Sequence, residues 1–199
     1  MIKQTELNNI FITADHHLGH ENIIKFCERP FQSTEEMDQA LICNWNKIVG
    51  KDDIVYHLAD LTLGDFATAR HYLAQLNGKI QVLANHWHHD KRWLPKNYFG
   101  PITLEYPMAT DIGHVNILPP LVVLEIEGMG NEGRPLAVTL CHYPLAVWDR
   151  KHYGAWHLYG HTHKPDNSGE FRLNVGVDCM NYHPISLGNI LTLMYEKGW

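Results

Sequence analysis

The segment NIFITADHH, residues 9–17, decides the fold more than any other stretch of this chain. Its first six residues are mostly apolar and include β-branched side chains, a pattern that predicts a short buried strand. Polar side chains follow at once, with Asp15, His16 and His17 at the carboxyl end of the strand. Ligands of open α/β sheets bind beyond the carboxyl ends of the strands, so this segment predicts both a sheet and the edge that carries its site.

Two further segments repeat this arrangement. Residues 53–58 (DIVYHL) predict a second strand, with Asp60 just beyond its end. Residues 79–84 (KIQVLA) predict a third strand, which Asn85 and His86 follow directly. The polar residues after the three strands are therefore expected to converge on one crevice.

Helical patterns lie between these strands. Residues 33–49 predict a helix, with Ser33 as its N-cap and Glu36 three residues further on, as in a capping box. Residues 64–76 predict a second helix, which Asn77 and Gly78 end. Strands that alternate with helices predict parallel pairing with right-handed crossovers.

The second half of the chain has a different pattern. Short apolar runs separated by Gly, Pro and Asn indicate strands rather than helices, at residues 98–106, 112–118, 121–127, 135–141, 155–160, 171–177 and 187–195. The whole pattern predicts an α/β fold in which two sheets pack together with helices outside. With no linker-like stretch in 199 residues, we expect a single domain over residues 1–199.

Composition and charge narrow the function classes. The formal net charge is −6 and no run of Lys or Arg occurs, so general nucleic-acid binding and membrane-surface binding are not expected. The amino terminus lacks the apolar core of a signal peptide, and the apolar stretch 117–126 is too short to span a bilayer. The four cysteines show no C-x-x-C spacing, which favours reduced thiols in a cytoplasmic protein.

Histidine is abundant, with 15 residues in the chain, and several of them follow predicted strands. His142 ends one run, and His161 and His163 end another. Each pair at a spacing of two, such as Asp15 and His17, can aim both side chains the same way on extended backbone. Two carboxylates, one amide and four imidazoles form an oxygen and nitrogen ligand set that suits Mn, Fe, Zn, Ni or Co.

These residues resemble a known family, the calcineurin-like metallophosphoesterases, in particular its small stand-alone members. The family pattern D-x-H…G-D…G-N-H-[DE]…H…G-H-x-H is similar to DHH at 15–17, AD at 59–60, ANHW at 84–87, HYP from 142 and GHTH at 160–163. The resemblance implies a four-layer α/β/β/α sandwich of two mixed sheets with flanking helices. It also implies an enzyme that hydrolyses a phosphomonoester or phosphodiester.

The resemblance further implies a role for each matching residue. Asp60 would bridge two divalent metal ions, with Mn²⁺ expected first and Fe, Zn, Ni, Co or Mg as alternatives. One ion would be completed by Asp15, His17 and His163, and the other by Asn85, His142 and His161. A hydroxide bridging the metals would attack phosphorus, while His86 contacts the phosphoryl oxygen and protonates the leaving alkoxide.

Other residues have more open interpretations. His20, in LGHEN, either reaches the substrate phosphate or caps the helix that follows it. His16, His88 and His89 are expected in loops or at the surface. Asn174 and Asp178 are candidates for orienting the ligands. The substrate would be a small phosphoester, nucleotides included, and the sequence leaves the oligomeric state open.

Three positions depart from the family pattern. Ala59 and Ala84 replace glycines, which is harmless where φ is negative and damaging where φ must be positive. Trp87 replaces an acidic residue that would position His86, and Asp90 is a candidate to substitute for it.

Two alternatives to an enzyme are a catalytically silent binding scaffold of the same fold and a histidine-rich protein for metal storage or sensing. The presence of both Asn85 and His86 favours the enzyme.

Overall fold

The fold is described from a computed structural model of the whole chain. The described residues are 1–84, 89–94, 100–101, 115–165, 168 and 170–198. Asn85 and His86, two of the predicted site residues, lie outside this part of the chain, as do Trp87 and His88.

The described chain forms ten strands and four α-helices. The strands are β1 (Ile10–Thr13), β2 (Ile54–His57), β3 (Lys79–Leu83), β4 (Gly100–Pro101), β5 (Val115–Leu118), β6 (Leu121–Ile126), β7 (Leu136–Cys141), β8 (Trp156–Tyr159), β9 (Arg172–Asn174) and β10 (Ile185–Ser186). The helices are α1 (Glu21–Phe26), α2 (Thr34–Ile48), α3 (Phe66–Leu73) and α4 (Leu187–Glu196).

The strands form two mixed sheets. The first has six strands in the order β10-β1-β2-β3-β5-β4, and the second has four in the order β6-β7-β8-β9. The neighbours β1, β2, β3 and β5 are parallel, while β10 and β4 pair antiparallel at the two edges. In the second sheet, β7, β8 and β9 are parallel and β6 is antiparallel. The predicted α/β class, the two sheets and the parallel pairing of the first three strands are confirmed.

Helix α2 begins where its capping residues predict. Ser33 is the N-cap, and its side chain accepts a hydrogen bond from the Glu36 backbone N–H at 3.2 Å. The Glu36 carboxylate accepts from the backbone N–H of Gln32 at 2.6 Å, one residue before the partner that a capping box requires. Helix α3 is shorter than predicted, because Asp65 caps it by accepting from the Thr68 backbone N–H at 3.0 Å. Helix α1 directly follows His20, where the sequence indicated a helix without giving its bounds.

The prediction of a strand at residues 187–195 is wrong, because this segment is helix α4. Ser186 caps the helix by accepting from the Asn189 backbone N–H at 3.2 Å. Leu187, Ile190, Leu191 and Met194 are buried, at helical spacing. A short apolar run suits a strand and a buried helix equally well, and here the cap and the spacing decide for the helix.

Alternating residues of the first sheet pack into two separate cores. Phe11 and Val55 face a cluster formed with α1, α2 and α3. Ile10 and Ile12 face the opposite cluster, to which β6, β7, β8 and β9 of the second sheet also contribute, together with α4. The two sheets therefore pack face to face, with three helices outside the first sheet. A small cluster of Ala137, Trp148 and Ala155 covers part of the other face of the second sheet.

The sequence leads to expectations about membrane-spanning helices and about the state of the cysteines. Among the described residues, no helix combines the length and the apolarity needed to cross a bilayer. Each of the four cysteines is a free thiol.

Trp45 of α2 should be a main support of the helical layer. Its side chain is fully buried, and its indole N–H donates to the Asn77 carbonyl at 2.9 Å. We expect Trp45→Ala to lower the free energy of unfolding by about 3–5 kcal/mol, measured by urea denaturation. The control Phe26→Ala, at a residue that is 77% exposed, should change it by about 0.5 kcal/mol or less. Similar losses in both variants would contradict this assignment.

Candidate metal centre

The candidate site lies where carboxyl ends of strands from both sheets meet. The backbone N–H of Val177, after β9, donates to Ala14 O, after β1, at 3.1 Å. The Nδ1 of His142, after β7, lies 2.9 Å from Leu58 O, after β2. Since a carbonyl only accepts, His142 carries its hydrogen on Nδ1 and turns Nε2 away from Leu58. Backbone and side-chain contacts thus join the two sheets around the site.

Two of the side-chain groups there that could hold a metal ion consist entirely of ligands predicted from the sequence. Within each group, the candidate ligand atoms lie within 4.8 Å of one another. The first group consists of Asp15, His17 and His163, and the second of Asp60, His142 and His161. These histidine–aspartate groups are positioned to hold a metal ion. The structure therefore brings together six of the seven ligands predicted from the sequence, and the seventh, Asn85, lies outside the described residues.

Asp60 lies between the two groups. Its Oδ2 is 3.7 Å from Nε2 of His17 in the first group and 3.5 Å from Nε2 of His142 in the second. All three residues are buried, with at most 2% of their surface exposed. A single carboxylate oxygen is thus shared by imidazoles that come from different sheets.

The ligand residues have an unusual backbone conformation. Asp15, His17, Asp60, His161 and His163 all have positive φ, between 52° and 70°. A left-handed conformation at a non-glycine residue costs about 1–3 kcal/mol and persists where the surrounding structure enforces it. Five such residues at one place indicate that the fold stores strain in order to aim these side chains.

The backbone conformation differs between Ala59 and Ala84, the two alanines that stand where the family pattern has glycine. Ala59 has φ of 84°, the left-handed region where glycine is free of strain and alanine is not. Ala84 continues the pairing of β3, since its backbone N–H donates to Leu118 O at 3.0 Å. The methyl group is therefore strained at Ala59 and easily accommodated at Ala84.

Asp15 is enclosed by backbone of the second sheet. Both of its carboxylate oxygens accept from the His161 backbone N–H, at 3.0 and 2.9 Å. A Cβ atom at Gly160 or at Gly176 would collide with Asp15 Oδ2. Glycine is required at these two positions because backbone must approach the carboxylate closely.

The charges of the two carboxylates are poorly compensated by the described protein groups. Burial raises the pKa of Asp15 to about 6, although His163 and the His161 N–H act in the opposite direction. Burial, followed by the neighbouring carboxylates of Asp90 and Asp15, raises the pKa of Asp60 to about 9. A divalent cation among these oxygens would reverse both shifts, since it favours the ionised form.

The environment of His17 fits such a cation. Its side chain is 1% exposed, and neither ring nitrogen has a hydrogen-bond partner among the described residues. Burial, and then the proximity of His163, holds the pKa of His17 well below its ordinary value. A buried neutral imidazole without a hydrogen bond is costly, and a metal ion accounts for it because imidazole binds metals in the neutral form.

Asp90 shapes the loop that carries Asp60. Its carboxylate accepts from the backbone N–H groups of Asp60, Leu61 and Thr62, at 2.6, 3.0 and 3.3 Å, and from the indole N–H of Trp93 at 2.7 Å. Asp90 is fully buried, and burial raises its pKa to about 6 despite these hydrogen bonds. The sequence indicated Asp90 only as a partner for His86, which lies outside the described residues, and the contact with the Asp60 loop was missed.

Asn174 and Asp178 hold the loop of His161 and His163. The Asn174 side-chain amide donates to Thr162 Oγ1 at 2.9 Å and to Lys164 O at 3.0 Å. Asp178 Oδ2 lies 2.7 Å from Nδ1 of His163, and both Asp178 oxygens accept from the buried Arg29. Both residues contact the ligand loop as expected, whereas Arg29 was missed because a lone arginine before proline carries no distinctive sequence pattern.

Two histidines expected in loops or at the surface, His16 and His89, contact other polar side chains. His16 is 1% exposed, its Nδ1 lies 3.0 Å from Nε2 of His57, and its ring meets Trp45 edge-on. His16 therefore lies in a loop, one of its two expected locations, and not at the surface, since a polar residue after a strand can be buried when a second polar side chain satisfies it. His89 is half-buried at the candidate site, with Nε2 3.9 Å from Asp60 Oδ2. His89 is thus only partly at the surface and begins the short helix His89–Arg92, while His88 lies outside the described residues.

His20 lies beside the first ligand group. Its ring centroid is 5.8 Å from that of His17 and 6.0 Å from that of His89. It occupies the N-cap position of α1 but makes no side-chain capping hydrogen bond. The His20 side chain therefore does not cap α1, and its other expected role, contact with the substrate phosphate, stays a prediction.

The fold and the site together define a class: a two-sheet α/β protein with histidine–aspartate groups positioned to hold a metal ion. No protein-family model matches the chain. The chain is 32% identical over 201 residues to the uncharacterized protein MJ1445 of Methanocaldococcus jannaschii, an alignment that covers 96% of this chain and 94% of the relative. The chain therefore belongs to the same family as that archaeal protein.

Two further comparisons also cover most of the chain. The chain is 27% identical over 200 residues to the gene 66 protein of Mycobacterium phage L5, covering 87% of this chain and 88% of that protein. A crystal structure of the protein of unknown function AQ665 from Aquifex aeolicus superposes with a TM-score of 0.60 at 19% identity, covering 92% of this chain and 98% of the other. At that identity the structural likeness shows a shared fold alone.

The strain at Ala59 predicts an unusual response to glycine. A left-handed conformation at alanine costs about 1–2 kcal/mol, and Ala59→Gly removes this cost. The gain offsets the greater conformational freedom of glycine in the unfolded chain. We expect the free energy of unfolding of the metal-free protein to stay within about 1 kcal/mol of wild type. The control Ala69→Gly, in the interior of α3, should lose about 1 kcal/mol or more. Equal losses in urea denaturation would show that Ala59 is not strained.

The raised pKa of Asp60 predicts that the metal-free protein loses stability as pH rises from about 7 to about 9. The unfolded chain releases this proton near its ordinary pKa, whereas the folded protein retains it until about pH 9. The stability that comes from this proton is therefore lost as pH rises through the folded pKa, by at most about 1.4 kcal/mol per pH unit.

Asp60→Asn has no such proton to lose, so its melting temperature in the presence of a chelator should fall less over the same range. Added Mn²⁺ should stabilise wild type more than this variant. Asp149→Asn, at an exposed surface carboxylate, should follow wild type throughout. Parallel curves for wild type and Asp60→Asn would contradict the prediction.

Proposed function

We propose that this protein is a phosphoesterase that uses a pair of divalent metal ions. The observation that carries the proposal is the position of Asp60 Oδ2, 3.7 Å from Nε2 of His17 and 3.5 Å from Nε2 of His142. Two catalytic metal ions about 3.5–4 Å apart require an anionic ligand between them. A buried carboxylate oxygen with imidazole nitrogens from two sheets at 3.5 and 3.7 Å meets this requirement.

In this proposal Asp60 is the bridging ligand. Asp15, His17 and His163 hold one cation, and His142, His161 and Asn85 hold the other. The ligands are oxygen and imidazole nitrogen, which favours Mn²⁺ in our proposal, with Fe, Zn, Ni, Co or Mg as alternatives. The four-layer sandwich of the calcineurin-like metallophosphoesterases is part of the same proposal, and the two packed sheets with helices outside the first are consistent with it.

When bound, such a cation pair attracts phosphate oxygens and lowers the pKa of a water molecule between the ions. The protein contributes ligands held in strained, fixed orientations, which lowers the entropy cost of assembling the site. The proposed role of His86 is to contact the phosphoryl group and to donate a proton to the leaving oxygen. A positioned general acid of this kind typically contributes about 10²–10⁴-fold in rate.

The proposed substrate is a small phosphoester, nucleotides included. A net charge of −6 and the absence of Lys or Arg runs argue against a long nucleic acid as the substrate. His20 and His89 lie beside the first ligand group, with ring centroids 5.8 and 4.9 Å from that of His17. Both are therefore candidates to contact the phosphate group of a bound substrate.

The test is hydrolysis of a phosphoester panel by metal-free and Mn²⁺-loaded protein. The panel should include p-nitrophenyl phosphate, bis-p-nitrophenyl phosphate, nucleoside monophosphates and cyclic nucleotides. We expect Mn²⁺-dependent cleavage of at least one ester. His86→Gln should lower kcat about 10²–10⁴-fold, and Asp60→Asn should abolish activity because the bridging anion is lost.

The matched control is His71→Gln, which removes an exposed imidazole on α3 and should retain wild-type kcat and KM. If protein that binds Mn²⁺ cleaves no ester of the panel, the proposed phosphoesterase activity is contradicted. The catalytically silent binding scaffold would then be the better interpretation. Wild-type rates in both site variants would overturn the assignment of the residues.

A further inference from the structure

Arg29 is a buried cation that the proposed chemistry does not use directly. It follows α1, its residue is 4% exposed, and its guanidinium makes four short polar contacts. Nη1 donates to the His16 carbonyl at 2.9 Å, and Nη2 donates to the Asp15 carbonyl at 2.7 Å. These two carbonyls belong to the loop after β1, so Arg29 fixes the backbone from which Asp15 and His17 project.

The same guanidinium binds a carboxylate from the other sheet. Nε and Nη2 of Arg29 donate to Oδ1 and Oδ2 of Asp178, both at 2.8 Å. Asp178 lies in the short helix Val177–Cys179 after β9. A bidentate arginine–carboxylate pair fixes both distance and orientation, so Arg29 joins the loop of Asp15 and His17 rigidly to the segment after β9 that carries Asp178.

Asp178 passes this orientation on to a ligand. Its Oδ2 lies 2.7 Å from Nδ1 of His163. A carboxylate paired with arginine only accepts hydrogen bonds, so His163 carries its hydrogen on Nδ1, which leaves Nε2 for a cation. A carboxylate in this position fixes the ring and makes the imidazole a stronger metal ligand.

The second ligand group is supported differently. Nδ1 of His142 donates to the carbonyl of Leu58 at 2.9 Å, which is a neutral acceptor. A hydrogen bond to a charged acceptor is roughly twice as strong as one to a neutral acceptor. The described hydrogen bonds thus give His163 of the first group a charged acceptor and His142 of the second group a neutral one.

We propose that Arg29 and Asp178 are positioning residues that make the Asp15–His17–His163 position the tighter of two cation sites. This position fills first, and the one formed with His142 and His161 fills second. The inference rests on the two-cation centre of the proposed function but does not depend on which reaction the centre performs.

The experiment is a titration of metal-free protein with Mn²⁺, followed by calorimetry for affinity and by low-temperature electron paramagnetic resonance for coupling between two ions. Wild type should bind two Mn²⁺ with clearly different affinities. Asp178→Asn should weaken the tighter ion about 10–100-fold and leave the weaker one unchanged. His163→Gln should affect the same ion, whereas His142→Gln should affect the other.

Non-additivity separates positioning from general damage to the fold. If Asp178 acts through His163, the double variant with Asp178→Asn and His163→Gln should bind the first ion no more weakly than His163→Gln alone. Arg29→Lys keeps the charge but loses the bidentate geometry, so it should weaken the same ion. Since loss of a buried partner risks unfolding, Asp178→Asn, which retains the size of the side chain and one acceptor oxygen, is the deciding variant.

The matched control is Asp149→Asn, a carboxylate that also pairs with an arginine, Arg150 at 2.8 Å, but is exposed. It should leave both Mn²⁺ affinities unchanged. Equal weakening of both ions by Asp178→Asn, or weakening of the ion that His142→Gln removes, would overturn the inference. Protein that binds two unequal ions without hydrolysing any ester overturns the proposed function alone, whereas protein that binds no Mn²⁺ overturns both.

Discussion

The burial of two carboxylates at the junction of two sheets is the constraint on which the rest of this structure depends. Asp15 and Asp60 are both fully buried, and their pKa values are raised to about 6 and about 9. A buried carboxylate needs hydrogen bonds, a counter-ion or a proton. Hydrogen bonds come from the His161 N–H for Asp15 and from the His89 backbone for Asp60, and a divalent cation would compensate the negative charge of both carboxylates. The geometry around these two residues is thus that of a binding site prepared at a cost in stability.

Two buried charged residues outside the two ligand groups stabilise the loops that carry Asp15 and Asp60. Asp90 supports the loop of Asp60 through three backbone N–H groups, and Arg29 supports the loop of Asp15 through two backbone carbonyls. Each is a polar side chain used to hold backbone in a conformation that it would not adopt alone. The strained φ angles at the candidate ligand residues are therefore maintained by surrounding hydrogen bonds.

Much of the fold and of the site could be predicted from the sequence, because both depend on local patterns. The first three strands, α2 and the positions of the ligands follow from apolar runs that end at Asp or His. Two contacts that the sequence did not predict have a common physical origin, because each joins residues far apart in the chain. Arg29 meets Asp178 across 149 residues, and His16 meets His57 across 41. Segment 187–195 was assigned to the wrong element because an apolar run is compatible with both a strand and a buried helix. The φ of Ala59 was left open, since no residue type fixes it.

The contact between His142 and Leu58 has a mechanical consequence. It links a ligand on the second sheet to the end of a strand on the first, so the spacing between the two ligand groups follows the spacing between the sheets. That spacing is set by the volumes of the side chains between them, such as Ile12, Leu140 and Leu158. The packing between the sheets therefore sets the distance between the two ligand groups. A methylene added or removed at this interface should shift imidazoles that it does not contact.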